Sequence, residues 1–412
     1  MSEVIVIGGG AAGLMAAVSA ADAGARVTLL ERNEKLGKKI YITGKGRCNV
    51  THACEPDVFL KNVVQNPRFL YSALNAFPPA ELMAWLEKHG CPVEVERGDR
   101  VFPVSQKASD VTRAFERELR RLGVRVRLNA RASALCAEDG RVTGVTLQSG
   151  ESLAADAVIV CTGGQSYAST GSTGDGWGWL SALGHSTFPA LPSLVGLESG
   201  AAWVRDLQGL SLKNVRLTLG EGKKTLYTDV GEMLFTHFGV SGPLVLSASA
   251  YATERAPEAL CLTLNLKPGL TAQQLDARVV RDVAQAPRKQ LSHVLAGLYP
   301  ARLVQAMAEL CALDAQKPAG SLTREERGRL VETTRALVIP VSGLRGLNEA
   351  IVTRGGVNVK ELNPSTLESR LVRGLYVAGE LLDVDALTGG FNLHIAFATG
   401  RAAGRAAACA VL

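Results

Sequence analysis

The chain has 412 residues, more than one domain usually holds, and 47% hydrophobic against 20% charged side chains describes a globular protein with a large core. No apolar run reaches the roughly 18 residues that span a bilayer, and Glu3 leads straight into a strand and glycines rather than a secretory leader, so a cytoplasmic protein without membrane contact is expected. A formal net charge of +6 hints only mildly at an anionic partner.

The first element is the most informative. Val4 to Ile7 reads as a buried strand, and Gly8, Gly10 and Gly13 fill the G-x-G-x-x-G pattern. A small-residue helix from about Ala11 to Ala23 follows, then a second apolar strand, Val27 to Leu30, ending in Glu31. Gly8 suits a tight turn, Gly10 lets backbone approach a pyrophosphate, and Gly13 lets helix and sheet pack closely. The N–H groups of Ala11, Ala12 and Gly13 and the positive helix end would face that pyrophosphate. Glu31 stands 18 residues after Gly13, near the spacing of a carboxylate that holds a ribose hydroxyl. Arg32 and Lys39 follow it and are counted with the dinucleotide site.

Next comes Gly37-Lys-Lys-Ile-Tyr-Ile-Thr-Gly44-Lys-Gly46-Arg47-Cys48-Asn49. Its glycines suit backbone lying against a ring or phosphate; a basic surface loop is the plainer alternative. Val124 to Leu147 reads as a hairpin, leading to an apolar strand, Ala157–Val160, that closes in Thr162-Gly163-Gly164 and a glycine-rich run to Gly176. Residues 191–270 alternate in short strand-like pieces, Val215–Leu219, Leu226–Asp229 and Leu260–Leu266 among them. From Thr271 to about Ala336 the pattern is helical, with Thr271 and Ser321 as cap candidates and a break at Lys317-Pro-Ala-Gly. Gly374 to Glu380 is another buried strand, stopping at Gly379-Glu380, and Gly389 and Gly390 precede a final helix from Asn392 to Ala408. The expected organisation is α/β: a discontinuous nucleotide domain, 1–190 with 345–412, a β-rich domain, 191–270 with 336–344, and a helical insertion, 271–335.

Two side chains stand out as catalytic candidates. Cys48 lies between Lys45, Arg47 and Asn49, and flanking cations would lower a thiol pKa and fit it as proton donor; an inert packed cysteine is equally compatible. His237, in Gly231-Glu-Met-Leu-Phe-Thr-His-Phe-Gly-Val-Ser-Gly-Pro243, is a possible proton relay or a structural histidine on a turn. Cys48 and Cys54 are separated by five residues, one too many for a flavin disulfide reductase pair. The eight cysteines form no C-x-x-C pair or zinc spacing, so no metal centre is expected, and the remaining histidines show no triad spacing.

The ordered blocks GGGAAG, TGKGRCNVTH, TGGQSYASTGSTGDG, GEMLFTHFGVSGP and VAGELLDVDALTGGFNLHIAFATG resemble those of the bacterial BaiN/RdsA-type (YhiN-type) flavoproteins across essentially the whole chain. The resemblance implies FAD in a discontinuous Rossmann-like domain, a β-barrel-like second domain and a small helical third. It implies that Gly8, Gly10 and Gly13 cradle the FAD pyrophosphate and Glu31 the adenosine ribose. Gly44, Gly46, Arg47, Cys48 and Asn49 would approach the isoalloxazine, with Thr162, Gly163 and Gly164 at the neighbouring strand end. Gly379 and Asp383 would lie by the ribityl chain, and Gly389, Gly390, Phe391 and Asn392 would aim the last helix at the flavin N1/C2 side. This chain has Glu380 where related proteins often carry aspartate, which shifts the ribityl expectation to Asp383, and Lys45 where the family tends to have glycine. The implied reaction is hydride transfer from flavin N5 to an electron-poor C=C bond, with NAD(P)H as transient reductant. Uridine in large-subunit ribosomal RNA, met as RNA or as a ribosomal precursor particle, is the expected substrate. A steroid or bile-acid-like enone is the alternative, and a non-catalytic flavin-bearing ribosome-associated factor a further one.

Overall fold

Four consecutive buried residues, Val4 to Ile7, put the first strand at the centre of a five-stranded, wholly parallel sheet. Across the sheet the strands are Leu375–Val377, Ala157–Val160, Glu3–Ile7, Arg26–Leu30 and Arg125–Arg127. Val6 pairs with Ile159 on one side and Leu29 on the other. Strands covered on both faces need unbroken apolar runs, and VIVI and AVIV supply them. The chain steps from the first strand to one neighbour, then returns to the other side. The carboxyl end of Glu3–Ile7 is therefore the switch point at which ligands bind in open α/β sheets. Arg125–Arg127 joins this sheet, in place of the single hairpin expected over 124–147; only Ala132–Glu138 and Arg141–Leu147 form one.

The computed structural model describes residues 1–409. Two units emerge: Met1–Ser193 with Gly346–Leu412, and Leu194–Arg345. In the first, helices Ala11–Asp22 and Phe391–Ala408 cross in close contact. A Cβ on Gly400 would stand 2.2 Å from the Ala12 carbonyl oxygen, and one on Gly404 2.3 Å from that of Ala16. The small residues of both helices are thus a packing requirement, and they tie the two termini together at the sheet.

The second unit carries a seven-stranded antiparallel sheet that includes Ser211–Glu221, Lys224–Phe235 and Leu260–Asn265. Its helices share one apolar core with that sheet: Leu217, Leu262 and Leu264 from strands meet Leu275, Leu303 and Leu330 from helices. Thr271 caps helix Ala272–Gln285 in a reciprocal box with Gln274. The cap of helix Arg324–Arg335 is Thr323, boxed with Glu326, instead of Ser321. A capping box needs a side chain at N3 that can reach back, and only Thr323 has one. Among the described residues no helix is long and apolar enough to cross a membrane.

Candidate functional site

The first loop is fixed by backbone. Gly8 N donates to Leu30 O at 2.8 Å, and Gly37 N to Gly9 O at 2.8 Å. A Cβ on Gly13 would stand 1.8 Å from Gly8 O, so only glycine lets the helix seat on the loop. The helix ladder opens with Leu14 N donating to Gly10 O, which leaves the N–H groups of Ala11, Ala12 and Gly13 ahead of it. A Cβ on Gly10 would meet nothing within 4 Å, so the helix mouth is open. Glu31 is buried beside it: Oε2 accepts from Gly9 N at 2.7 Å, and Oε1 from Asn33 N and Nδ2 at 2.8 and 2.7 Å. Each carboxylate oxygen has two acceptor sites, so Oε2 retains capacity for a ribose hydroxyl. Arg32 is spent elsewhere, donating to Thr173 Oγ1 at 2.6 Å and pairing with Asp175.

Two further strand ends meet this loop. Gly379 N donates to Thr399 Oγ1, and a Cβ on Gly379 would crowd Ala12 Cβ at 2.7 Å, which brings the last sheet strand against the first helix. Glu380 gathers a network: Oε1 accepts from Ser166 Oγ at 3.0 Å and Thr353 N at 2.9 Å, while Oε2 pairs with Lys39 Nζ. Lys39 also donates to Ser166 Oγ at 2.7 Å, and Thr353 Oγ1 accepts from Gln165 N and Ser166 N. Gly164 leaves room for that network, since its Cβ would meet Thr353 Oγ1 at 2.5 Å. Thr162 Oγ1, on the same turn as Gly163, is buried and without a hydrogen-bond partner.

The 44–49 segment is a tight turn with unusual backbone. Gly44, Lys45, Gly46 and Cys48 all have left-handed backbone, at φ 57°, 59°, 88° and 63°. Lys45 and Cys48 therefore hold a conformation L-residues seldom adopt. Arg47 pairs with Glu96, donates to Gln106 Oε1 and lies over the Phe102 ring at 4.1 Å. Its charge is thus drawn away from its neighbour. Cys48 has no exposed surface, and burial pushes its thiol up to about 12. The lowered pKa expected from Lys45 and Arg47 is reversed, because desolvation disfavours the thiolate more than distant or already paired cations favour it. Asn49 Oδ1 and Thr51 Oγ1, just beyond, are buried without partners.

Around the last helix the side chains do the positioning. Gly389 and Gly390 have φ of 125° and 98°, and a Cβ on Gly390 would stand 2.5 Å from Thr51 carbonyl atoms. Phe391 stacks on His52 with centroids 4.6 Å apart. Asn392 accepts from Ala386 N and donates to Ala386 O and Leu387 O. Asp383, expected beside a ribityl chain, has Oδ2 turned onto Gln65 Nε2 and Asn66 Nδ2, and burial raises its pKa. Asp385, buried at 0% exposure, binds Arg354 through both oxygens at 3.0 Å and accepts from Ser193 Oγ at 2.6 Å. The sequence reading passed over Thr353, Arg354 and Asp385. Gly355-Gly356, inside strand Val352–Val357, was the signal available.

His237 is exposed at the tip of a turn closed by Thr236 N to Gly239 O at 2.8 Å, within the second unit. Among the other histidines, His185 does form a line of three, Nδ1 to Glu361 at 3.0 Å and Nε2 to Ser369 Oγ at 2.8 Å. Ser369 is buried, and its Oγ already accepts from Leu371 N and Val372 N. That arrangement is a structural clasp, with no free hydroxyl to attack a substrate.

A dinucleotide fits the first unit on these grounds: an open helix mouth with free N–H groups, an anchored carboxylate with acceptor capacity, and orphaned buried polar atoms at Thr162 and Asn49. Among the groups that would hold FAD, the structure supplies Gly8 to Gly13, Glu31, and the strand ends at Thr162 and Gly379.

Comparison with known proteins agrees with this architecture. The chain is 32% identical, over 99% of both chains, to the 3-dehydro-bile acid delta(4,6)-reductase of Clostridium scindens. It is 30% identical, over 96% of both, to the ribosomal RNA dihydrouridine synthase of Escherichia coli, and 29% identical, over 97% of both, to that of Haemophilus influenzae. In fold it resembles a flavocytochrome c3 fumarate reductase, with TM-score 0.53 at 18% identity over 100% of this chain and 78% of that one. A 3-ketosteroid-delta4-(5alpha)-dehydrogenase from Rhodococcus jostii RHA1 gives TM-score 0.52 at 16% identity over 99% and 97%. The expected α/β Rossmann-like fold is therefore the fold of this chain. Residues 2–406 match the HI0933-like protein Rossmann domain, and the chain belongs to that family of oxidoreductases.

Proposed function

We propose that this protein binds FAD along the carboxyl edge of the parallel sheet and, with NAD(P)H as transient reductant, reduces a uridine of large-subunit ribosomal RNA to dihydrouridine. The observation that carries the reading is identity of 29–30% along 96–97% of this chain to two ribosomal RNA dihydrouridine synthases. Bound FAD would supply hydride transfer to an electron-poor C=C bond. The chain's own residues do the rest. Ala11, Ala12 and Gly13 offer N–H groups to the diphosphate, Glu31 takes a ribose hydroxyl, and the Lys39–Glu380–Thr353 network holds the strand ends in register. Of the two candidate acids, His237 lies exposed in the second unit and Cys48, in the first, has no exposed surface. The base must arrive unstacked, since a group at a sheet edge cannot reach into a stacked helix. Such a task belongs in the cytoplasm.

A second reading has its own support: 32% identity over 99% of both chains to a bile-acid reductase favours a steroid-type enone. Both substrates carry a C=C bond conjugated to a carbonyl, so the same residues serve either. Deleting the gene and mapping dihydrouridine in ribosomal RNA separates them. Loss of one modified position supports the first reading. An unchanged map, with turnover of a 4-ene-3-keto steroid by the purified protein, replaces it with the second. An absorbance band near about 450 nm in the purified protein tests the flavin itself, and its absence removes both.

A further inference from the structure

With Cys48 enclosed, the 44–52 segment still carries a titratable side chain that neither the reaction nor the fold has used. His52 follows Thr51 in a two-residue strand paired with Arg100 and Val101. Its ring stacks on Phe391, the first residue of the 18-residue C-terminal helix, at 4.6 Å and 28°. Nδ1 is buried against the Gly389 backbone, where a Cβ would stand 3.5 Å away, and finds no side-chain partner. The residue as a whole keeps partial exposure. Among the described residues no side-chain hydrogen bond engages the ring, so the accessible polar edge is Nε2. Thr51, fully buried with Oγ1 unpartnered, lies against Gly390 at the same helix end.

Resting on the FAD reading above, we infer that His52 is a contact residue of the bound flavin, its Nε2 making a hydrogen bond to the cofactor while Phe391 fixes the ring from behind. Three features carry the inference. The stack sets the ring plane. The Gly389 backbone fills the Nδ1 side, so the remaining nitrogen has one direction to face. The free N–H groups of Phe391 to Leu393 at the helix end favour electron-rich atoms in the same place. Burial draws the His52 pKa down from the ordinary imidazole value, which keeps the ring neutral and able to accept or donate near pH 7.

The test compares wild-type protein with His52→Phe and His52→Gln, each refolded or purified with FAD. Readouts are the FAD dissociation constant, from flavin fluorescence, and the position of the visible flavin band. His52→Phe preserves an aromatic partner for Phe391 and removes the hydrogen bond. It should weaken FAD binding roughly tenfold and displace the band, while His52→Gln, which retains a polar tip, recovers most of the affinity. Affinity within twofold of wild type and an unmoved band in His52→Phe overturn the inference. So does equal loss in both variants, which marks a packing role. Should His52→Phe fail to fold, His52→Gln against His52→Leu decides by the same criteria. Wild-type protein that takes up no FAD sinks the flavin reading itself, a result distinct from either of these.

Discussion

The mouth of the first helix and the mouth of the last helix are built in opposite ways. At Gly8 to Gly13 the geometry comes from backbone: Gly8 N on Leu30 O, Gly37 N on Gly9 O, and a glycine where a Cβ would strike Gly8 O. At Gly389 to Asn392 it comes from side chains far apart in sequence. Arg354 and Ser193 hold Asp385, Gln65 and Asn66 hold Asp383, and His52 backs Phe391. The first region can be read from glycine spacing because every part of it lies within 31 residues. The second cannot, because each partner is chosen by the tertiary fold.

That contrast can be broken most forcefully at the buried pair. Asp385→Asn removes the Asp385 carboxylate charge from the Arg354 guanidinium in a site with almost no exposure. A loss of about 3–5 kcal/mol is expected in urea unfolding, and a loss under about 1 kcal/mol would show the last helix mouth to be held by other contacts. The backbone-built mouth has its own probe in a pair of glycines three apart. Gly13→Ala places a methyl 1.8 Å from a carbonyl oxygen and should cost about 3 kcal/mol. Gly10→Ala, with φ −81° and open space at its Cβ, should stay within about 0.5 kcal/mol and weaken only FAD uptake. Equal effects from both would mean the loop is not packed as described.

A pH experiment sharpens the side-chain half. His394 lies on the buried face of the last helix, Nε2 bonded to Phe77 O at 3.0 Å, and burial lowers its pKa from 6.5 to about 4. The unfolded chain then binds this proton more readily than the folded one. Stability from this group is complete above pH 6.5 and declines as pH falls toward 4, by about 3 kcal/mol in all. His394→Gln, which keeps a donor for Phe77 O, should flatten the pH profile across that window. A profile as steep as wild type assigns the acid sensitivity elsewhere. The smallest effect concerns Cys48. Brief alkylation of the native protein at pH 8 should modify the exposed Cys261 and leave Cys48 unlabelled until denaturant is added. Prompt labelling of Cys48 would restore it as a candidate acid.

Much of the nucleotide unit was legible before any coordinates. VIVI, AVIV and the GGGAAG block place a strand, a second strand and a helix mouth because burial on both faces demands apolar runs and close approach demands glycine. The lowered pKa expected for Cys48 fails for one reason. Adjacent charges suggested an electropositive thiol, but Glu96 and Gln106, some fifty residues away, take up Arg47 while the core closes over Cys48. Ser321 failed as a cap on a finer point, because Thr323 alone has Glu326 at the reciprocal position.

The amino-acid order by itself determined the parallel sheet's central strands, the glycines at their carboxyl ends and the carboxylate at Glu31, since local spacing and apolar runs encode them. Only the tertiary structure decided which charges are spent, which thiol is sealed and which histidine remains accessible. Those properties depend on partners brought together from distant segments and on the water removed when they meet.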